Sequence, residues 1–274
     1  MQLLRDKGNR PQKIIIKTTN FQIMTKDNKQ QKLSDNTNTA ITYSECYAQP
    51  FFNLLFGDGF QLIKSLPDNS VDLIVTDPPY GINLTKGYKS GSNELIQGDD
   101  GFTVMFFLDD IMREYKRVLK PNSALYIFTR FDVMPYWWIK LKNYFDAKNQ
   151  IVWFKGGGGM GDLKGNFSYN YESIMFATNG KHQIRGKREG SVWQIGKCKQ
   201  EYHETQKPVE LIEKILLHSS DEGMTVLDPF MGSGTTGIAC RNLKRNFIGI
   251  ELNEDYFNTA KKRIESHSVQ SELF

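Results

Sequence analysis

From Phe51 onward, short apolar runs alternate with segments long enough to form helices. This alternation is typical of βαβ units and predicts a doubly wound α/β fold with a mostly parallel sheet. The seven runs predicted as strands are residues 53–56, 71–76, 124–129, 151–154, 173–177, 225–227 and 247–251. The predicted helices are residues 59–65, 102–119, 135–145, 208–218, 234–242 and 254–266. Pro208 is expected to open the fourth of these helices, and Lys120-Pro121-Asn122 to end the second.

The chain divides by composition into an appendage and a domain. Residues 1–45 are rich in Asn, Gln, Lys and Thr, so we expect a partly flexible polar segment that could contain one short strand. Residues 46–274 are predicted to form one domain, because 274 residues leave little room for a second. Two long polar or glycine-rich stretches, 81–101 and 155–165, are interpreted as lids or binding loops.

Charge and cysteine content narrow the classes of protein. Lys and Arg number 35 against 31 Asp and Glu, and the excess is concentrated in residues 1–32 and 181–207. Such clusters suit a phosphate backbone, although a solvated face would look the same. The three cysteines lie far apart, which argues against a disulfide framework and a zinc site, and no metal is expected. No apolar run approaches the length of a membrane span, so a cytoplasmic protein is expected.

A glycine turn near the C-terminus predicts a nucleotide site. A short apolar run ends at Asp228, and the turn Phe230-Met-Gly232-Ser-Gly234 then leads into a helix. Glycines allow a ligand to approach the backbone closely, and a helix N-terminus presents unpaired N–H groups. The next strand ends in Glu251, about where a doubly wound fold places a carboxylate that accepts two ribose hydroxyls. No Gly-Lys-Ser/Thr follows the turn, so an adenosine-type ligand is favoured over a P-loop.

The run Asp77-Pro78-Pro79-Tyr80 follows an apolar strand. The two prolines lack N–H groups, so this turn offers a carboxylate beside carbonyl acceptors. Such a corner suits an NH₂ group, whose two hydrogens would be accepted by Asp77 and the Pro78 carbonyl while the nitrogen lone pair is directed at an electrophilic methyl group. Tyr80 would then stack on a nucleobase swung out of a duplex.

Together these two motifs resemble those of the DNA amino-methyltransferases. Residues 77–80 match the D/N/S-P-P-Y/F motif of that family, and Phe230, Gly232 and Gly234 match its F-x-G-x-G cofactor motif. The catalytic motif precedes the cofactor motif here, as in the circularly permuted β group of the family. The resemblance covers roughly residues 51–257. It implies a seven-stranded Rossmann-like fold and S-adenosylmethionine as the methyl donor.

The resemblance also implies roles for individual residues. The segment 203–208 is similar to the family's H-P-T-Q-K-P segment, except that Glu204 replaces a proline. The catalytic residues implied are Asp77, Pro78, Pro79 and Tyr80. The cofactor-binding residues implied are Asp58, Thr205, Lys207, Pro208, Asp228, Phe230, Gly232, Ser233, Gly234, Thr235 and Glu251. His203 is interpreted as a hydrogen-bonding support, and Trp137 and Trp138 as core residues.

The implied partner is double-stranded DNA. Target recognition in the β group is expected within residues 179–203, where the candidate DNA-binding residues are Arg185, Lys187, Arg188, Lys197 and Lys199. Most of these are expected to contact phosphate rather than base edges. A cognate restriction endonuclease and a homodimer are possible further partners. The 81–101 loop is a second candidate for facing DNA.

The Asp-Pro-Pro-Tyr sequence favours N6 of adenine as the methylated atom. N4-cytosine enzymes, which more often carry Ser at the first position, are the alternative. C5-cytosine chemistry needs a cysteine nucleophile, normally after a proline, and no cysteine here follows one. A protein-glutamine or RNA methyltransferase and a non-catalytic DNA-binding protein on the same fold are the remaining alternatives.

Overall fold

The computed structural model describes residues 18–20, 51–79, 101–157, 164–165, 167–199, 202 and 206–267. Within them the chain forms one nine-stranded sheet in the order β1-β2-β9-β8-β3-β4-β6-β5-β7. The strands are β1 (Thr18–Asn20), β2 (Phe52–Phe56), β3 (Val71–Thr76), β4 (Leu119–Thr129), β5 (Asp146–Phe154), β6 (Tyr171–Asn179), β7 (Val192–Gln194), β8 (Thr225–Asp228) and β9 (Asn246–Glu251). The helices are α1 (Gly59–Leu62), α2 (Gly101–Val118), α3 (Met134–Tyr144), α4 (Val209–Ser219), α5 (Thr235–Asn242) and α6 (Glu254–Ser266).

The predicted α/β fold is confirmed, and all seven predicted strands are present. The described residues contain two further strands, β1 and β7, at the two edges of the sheet. Both have only three residues, too few for an alternating apolar pattern to reveal them in the sequence. The five central strands β2, β9, β8, β3 and β4 are parallel, and β6 runs antiparallel to both of its neighbours.

The sheet is buried on both faces, which explains why its central strands are apolar throughout. Alternate residues of β3 point to opposite sides, so Leu73 packs with helices α4, α5 and α6, and Ile74 packs with α1, α2 and α3. Trp137 of α3 is only 1% exposed in the apolar layer formed with α1 and α2, and Trp138 packs against the same layer. The predicted core position is confirmed for Trp137, whereas Trp138 is only partly buried.

Several predicted helix ends were wrong by one residue, and three of them show the cause. The segment Lys120-Pro121-Asn122 was expected to terminate a helix, but α2 ends at Val118 and β4 begins at once with Leu119. Lys120 is held there by both carboxylate oxygens of Asp72, at 2.8 Å each. Pro208 caps α4 from outside with an extended backbone, because the helix starts one residue later. Gly234 likewise lies just outside α5 as its N-terminal cap, but its backbone is left-handed.

The connections of the sheet predict a ligand crevice at the carboxyl ends of its central parallel strands. From β3 the chain passes through α2 to β4, whereas from β8 it passes through α5 to β9, in the opposite direction along the sheet. The order therefore reverses between β8 and β3. In open α/β sheets, ligands bind outside the carboxyl ends of the strands at such a reversal. No helix in the described part of the chain combines the length and apolarity that crossing a membrane requires.

Candidate active site

Four acidic side chains lie at the carboxyl ends of four neighbouring parallel strands. Asp58 comes after β2, Glu251 ends β9, Asp228 ends β8 and Asp77 follows β3. Because these strands are adjacent in the order β2-β9-β8-β3, the four residues form a row along the carboxyl ends of the strands. Residues 77 and 228 are 151 positions apart in the sequence, yet the two motifs that contain them flank the same crevice.

The glycine turn after β8 has the backbone that glycine permits. Gly232 and Gly234 have φ values of 52° and 82°, in the left-handed region. A Cβ on Gly234 would lie 2.9 Å from the Cβ of Ala260 in α6, so a larger residue there would push the helix away from the turn. The turn therefore leads directly from β8 into α5, and the first N–H groups of a helix have no partner within it, as a ligand site at a helix N-terminus requires.

Glu251 is held in place by the turn that it faces. The backbone N–H of Gly232 donates to its Oε2 at 2.9 Å, and the N–H of Asn253 donates to its Oε1 at 2.8 Å. Burial raises the pKa of Glu251, and these backbone hydrogen bonds counter part of that effect. A carboxylate oxygen has two lone pairs, so each oxygen can accept one more hydrogen. This preorganised pair of acceptors fits the two hydroxyls of an adenosine ribose.

Asp228 points into the protein, where it fastens the turn. The Thr236 hydroxyl donates to its Oδ2 at 2.7 Å, and the N–H of Phe230 donates to its Oδ1 at 3.2 Å. Burial raises the pKa of Asp228 to about 7, although both hydrogen bonds lower it. The side chain therefore connects β8 to the first turn of α5 and sets the position of the glycines between them.

Asp58 caps α1 and holds that helix against the same turn. Its Oδ1 accepts the N–H of Phe60 at 2.9 Å. The rings of Phe60 and Phe230 pack at 5.0 Å with an angle of 58° between their planes. A Cβ on Gly59 would lie 2.2 Å from the Pro229 carbonyl oxygen, so α1 and the β8 turn touch through their backbones. Phe230 thus forms part of the wall between these two elements.

Asp77 forms an ion pair with Lys207. The ammonium group of Lys207 contacts Oδ2 of Asp77 and lies 5.2 Å above the ring of Phe128. Burial alone would lower the pKa of Lys207, but the carboxylates of Asp77 and Glu172 outweigh it and raise the pKa. Lys207 is therefore an ammonium ion at neutral pH. Beside Asp77, Pro78 is buried and has no N–H group.

Sequence reasoning missed the role of Glu172, at the start of β6. Its Oε2 lies 3.5 Å from Nζ of Lys207, and its Oε1 contacts Nζ of Lys155 at the end of β5. Burial alone would raise the pKa of Glu172, but the two ammonium groups lower it, so Glu172 is ionised. The available signal was an acidic residue directly before the apolar run 173–177.

The candidate DNA-binding residues fall into two groups. Arg185 lies at the edge opposite Asp77, where its guanidinium pairs with Asp221 at 2.8 and 2.6 Å. Lys187 and Arg188 are exposed and follow Arg185 in the chain after Gly186. Lys197 and Lys199 are exposed after β7, which runs parallel to β5 and ends at the same edge as β3. Between them, the Cys198 thiol donates to the Gln206 carbonyl at 3.4 Å, which places this segment beside Lys207.

Several predicted site residues cannot be placed. Tyr80, His203, Thr205 and most of the 81–101 loop lie outside the described residues. The remaining cofactor candidates Ser233, Thr235 and Pro208 border the crevice: the first two at the glycine turn and Pro208 at the cap of α4. Arg263 of α6 donates to the Ser233 carbonyl at 2.5 Å and to its hydroxyl at 2.9 Å. Among the described residues, no cluster of His, Cys, Asp and Glu could hold a metal ion.

The geometry of this site agrees with the protein family that the chain matches. Residues 71–262 match the DNA methylase family, and the chain belongs to that family. The enzyme class and the S-adenosylmethionine cofactor predicted from the sequence are those of this family. Membership also disfavours the protein- and RNA-methylating alternatives and the non-catalytic one.

Individual relatives cover most of the chain. It is 32% identical over 241 residues to the type II methyltransferase M.HpaI of Haemophilus parainfluenzae, covering 78% of this chain and 74% of the relative. It is 30% identical over 257 residues to the DNA adenine methyltransferase YhdJ of Escherichia coli K12, covering 80% of this chain and 85% of that one. The crystal structure of the M1.HpyAVI–SAM complex is similar with a TM-score of 0.61 and 30% identity, covering 78% of this chain and 99% of that one.

Proposed function

We propose that this chain transfers the methyl group of S-adenosylmethionine to N6 of adenine at a specific site in double-stranded DNA. The observation that carries the proposal is the position of Asp77 and Pro78 across one crevice from the glycine turn of 230–234. The name of the adenine-specific relative and the Asp at the first position of the catalytic motif support adenine over N4 of cytosine, the second candidate.

The cofactor is assigned to the crevice between the glycine turn and Asp77. Glu251 would accept the two ribose hydroxyls, and the turn from Phe230 to Thr235 would line the crevice. Asp58, Thr205 and Pro208 are retained as bordering residues from the family resemblance. When bound there, the cofactor supplies a methyl group on a positively charged sulfur.

The amine is assigned to the corner formed by Asp77 and Pro78. We assign the two amine hydrogens to two acceptors, the carboxylate of Asp77 and the carbonyl of Pro78. Holding both hydrogens lets the nitrogen pyramidalise and directs its lone pair toward the methyl group. Pro79 completes the turn, and Tyr80 would stack on the extruded base.

Methyl transfer leaves a surplus proton on the nitrogen. Lys207 cannot accept it, because the raised pKa of Lys207 keeps that group protonated. The Asp77 carboxylate already accepts one of the amine hydrogens, so it takes up this proton as the positive charge develops and later releases it to water. No covalent bond between the enzyme and the base is required.

The proposal is tested by incubating the purified protein with S-adenosylmethionine carrying a deuterated methyl group and a long duplex of mixed sequence. The DNA is then digested to nucleosides and analysed by mass spectrometry. We expect the label in N6-methyl-2′-deoxyadenosine. Methylation-aware sequencing of the product then locates the methylated site. Label in N4-methylcytosine would favour the second candidate, and label absent from both nucleosides would refute the proposal.

DNA contacts are proposed for the basic residues at the catalytic edge. Replacing both Lys197 and Lys199 by glutamine is expected to reduce the slope of log Kd against log salt concentration by about 2, because each lost phosphate contact lowers the slope by about 1. Titration of a fluorescent duplex at several salt concentrations measures this slope. The matched control replaces Lys187 and Arg188, and we expect it to change the slope less. A larger effect of the control variant would indicate that DNA binds on the side of Arg185, away from Asp77.

Domain organisation, cellular location and partners are also proposed. We propose that residues 46–274 form the catalytic domain with recognition residues within 179–203, preceded by the polar appendage 1–45. A cytoplasmic location and a cognate restriction endonuclease are proposed from the type II methyltransferase names of the relatives. A homodimer is proposed on the family resemblance.

A further inference from the structure

Four charged side chains form a partly buried chain that leads away from the catalytic corner. Lys155 contacts Glu172, Glu172 faces Lys207, and Lys207 contacts Asp77. The side chains of Lys155, Lys207 and Glu172 are 17%, 9% and 21% exposed, so water screens these charges only partly. Positive and negative groups alternate, and two ammonium groups balance two carboxylates. We name these four residues the charge cluster.

We propose that Glu172 sets the preference of the active site for the positively charged methyl donor over its neutral product by keeping the charge cluster neutral. The inference rests on the proposed function. S-adenosylmethionine carries a sulfonium, whereas S-adenosylhomocysteine, which remains after transfer, carries an uncharged thioether. The sulfonium must lie close to Asp77, because its methyl group passes to the amine that Asp77 holds. Only the donor therefore responds to the net charge of the cluster.

Glu172 is suited to this role because it carries charge without touching the substrate. Asp77 and Lys207 are both in contact at the reacting corner, so changing either would alter geometry and charge together. Glu172 is one residue further away, and its Oε2 is buried without a hydrogen-bond partner. Oxygen atoms buried in this way are unusual, because an unsatisfied polar atom costs stability. Here the oxygen faces the ammonium of Lys207 and contributes mainly its charge.

The test is the Glu172→Gln variant, which preserves shape and removes one negative charge. The cluster then carries a net charge of +1, and we expect the Kd for S-adenosylmethionine to rise about tenfold, as expected for a unit charge several ångströms away in a partly screened site. The Kd for S-adenosylhomocysteine should change less than about twofold, because that ligand has no sulfonium. Isothermal titration calorimetry of the full chain without DNA measures both constants.

The control and the compensating variant separate charge from structure. Glu189→Gln removes an exposed charge that pairs with Lys214, and it should leave the ratio of the two constants unchanged. Combining Glu172→Gln with Lys155→Met makes the cluster neutral again, so the ratio should return toward the wild-type value. A purely structural role would make the double variant at least as poor as the single one.

Two results would overturn the inference. The first is an unchanged ratio of the two constants in Glu172→Gln, whether or not both affinities fall. The second is failure of the double variant to restore the ratio. These outcomes are distinct from failure of the proposed function, because binding is measured without DNA and methylation by the unmodified protein is assayed separately.

Discussion

Asp77→Asn is expected to lower the single-turnover rate of methyl transfer by about 100- to 1000-fold, the usual loss when one preorganised electrostatic contact to the transition state is removed. As the methyl group reaches the amine, the nitrogen becomes positively charged, and the carboxylate stabilises that charge. The neutral amide of asparagine does not, and it cannot take up the surplus proton. The rate is measured with enzyme in excess over a labelled duplex and with saturating donor.

A change in the fold would also lower the rate, so binding serves as the internal check. The Kd for S-adenosylhomocysteine should be unchanged in Asp77→Asn, because this ligand carries no sulfonium charge and its ribose is assigned to Glu251. The matched control is Asp68→Asn, which removes an exposed carboxylate that pairs with Arg117 before β3. It should retain the wild-type rate. Loss of product binding in Asp77→Asn would mean that the residue supports the fold instead.

Glu251→Ala is expected to weaken the binding of both S-adenosylmethionine and S-adenosylhomocysteine by about 100-fold. The reason is the loss of two charge-assisted hydrogen bonds to the ribose, of about 1.5 kcal/mol each. The two backbone N–H groups that Glu251 accepts would also lose their partner, so some stability would be lost. Calorimetry with each ligand measures the affinities, and thermal unfolding measures the stability.

A modified ligand separates the ribose contact from this structural loss. S-adenosylhomocysteine without its 2′-hydroxyl should bind more weakly than the natural ligand to the wild-type protein, but with equal affinity to Glu251→Ala. Such a double comparison isolates the interaction between the two groups. Glu265→Ala, a change on the exposed face of α6, is the control and should preserve discrimination. If Glu251→Ala still distinguished the two ligands, the ribose would lie elsewhere.

The sequence was sufficient for the parts of the fold that depend on local patterns. The apolar runs of β3, β8 and β9 predicted strands because both faces of the sheet are covered, and the glycines of 230–234 predicted a close turn because their conformation excludes side chains. The three-residue strand β7 escaped prediction because it is defined by its pairing with β5. Helix ends were imprecise where a cap such as Pro208 lies just outside the helix.

The parts of the site that escaped prediction depend on tertiary contacts. Lys207 was assigned to the cofactor through its motif, yet it pairs with Asp77, 130 residues earlier in the chain. Glu172 is brought to the same point only by the antiparallel placement of β6 between β4 and β5. Arg185 looked like the basic residues after it in the sequence, but the path of the chain from β6 places it at the opposite edge with Asp221. Spacing along the chain carries no record of these contacts.

The central claim is that the Asp77 corner and the glycine turn form one methyl-transfer site. The most direct test follows a tritium-labelled methyl group from S-adenosylmethionine into duplex DNA in a single turnover, with the wild type and Asp77→Asn compared side by side. The predicted result is rapid labelling of adenine by the wild type and almost none by the variant, with equal affinity of both for S-adenosylhomocysteine. Labelling by the variant at close to the wild-type rate, or wild-type protein that binds the donor and leaves DNA unlabelled, would contradict the claim.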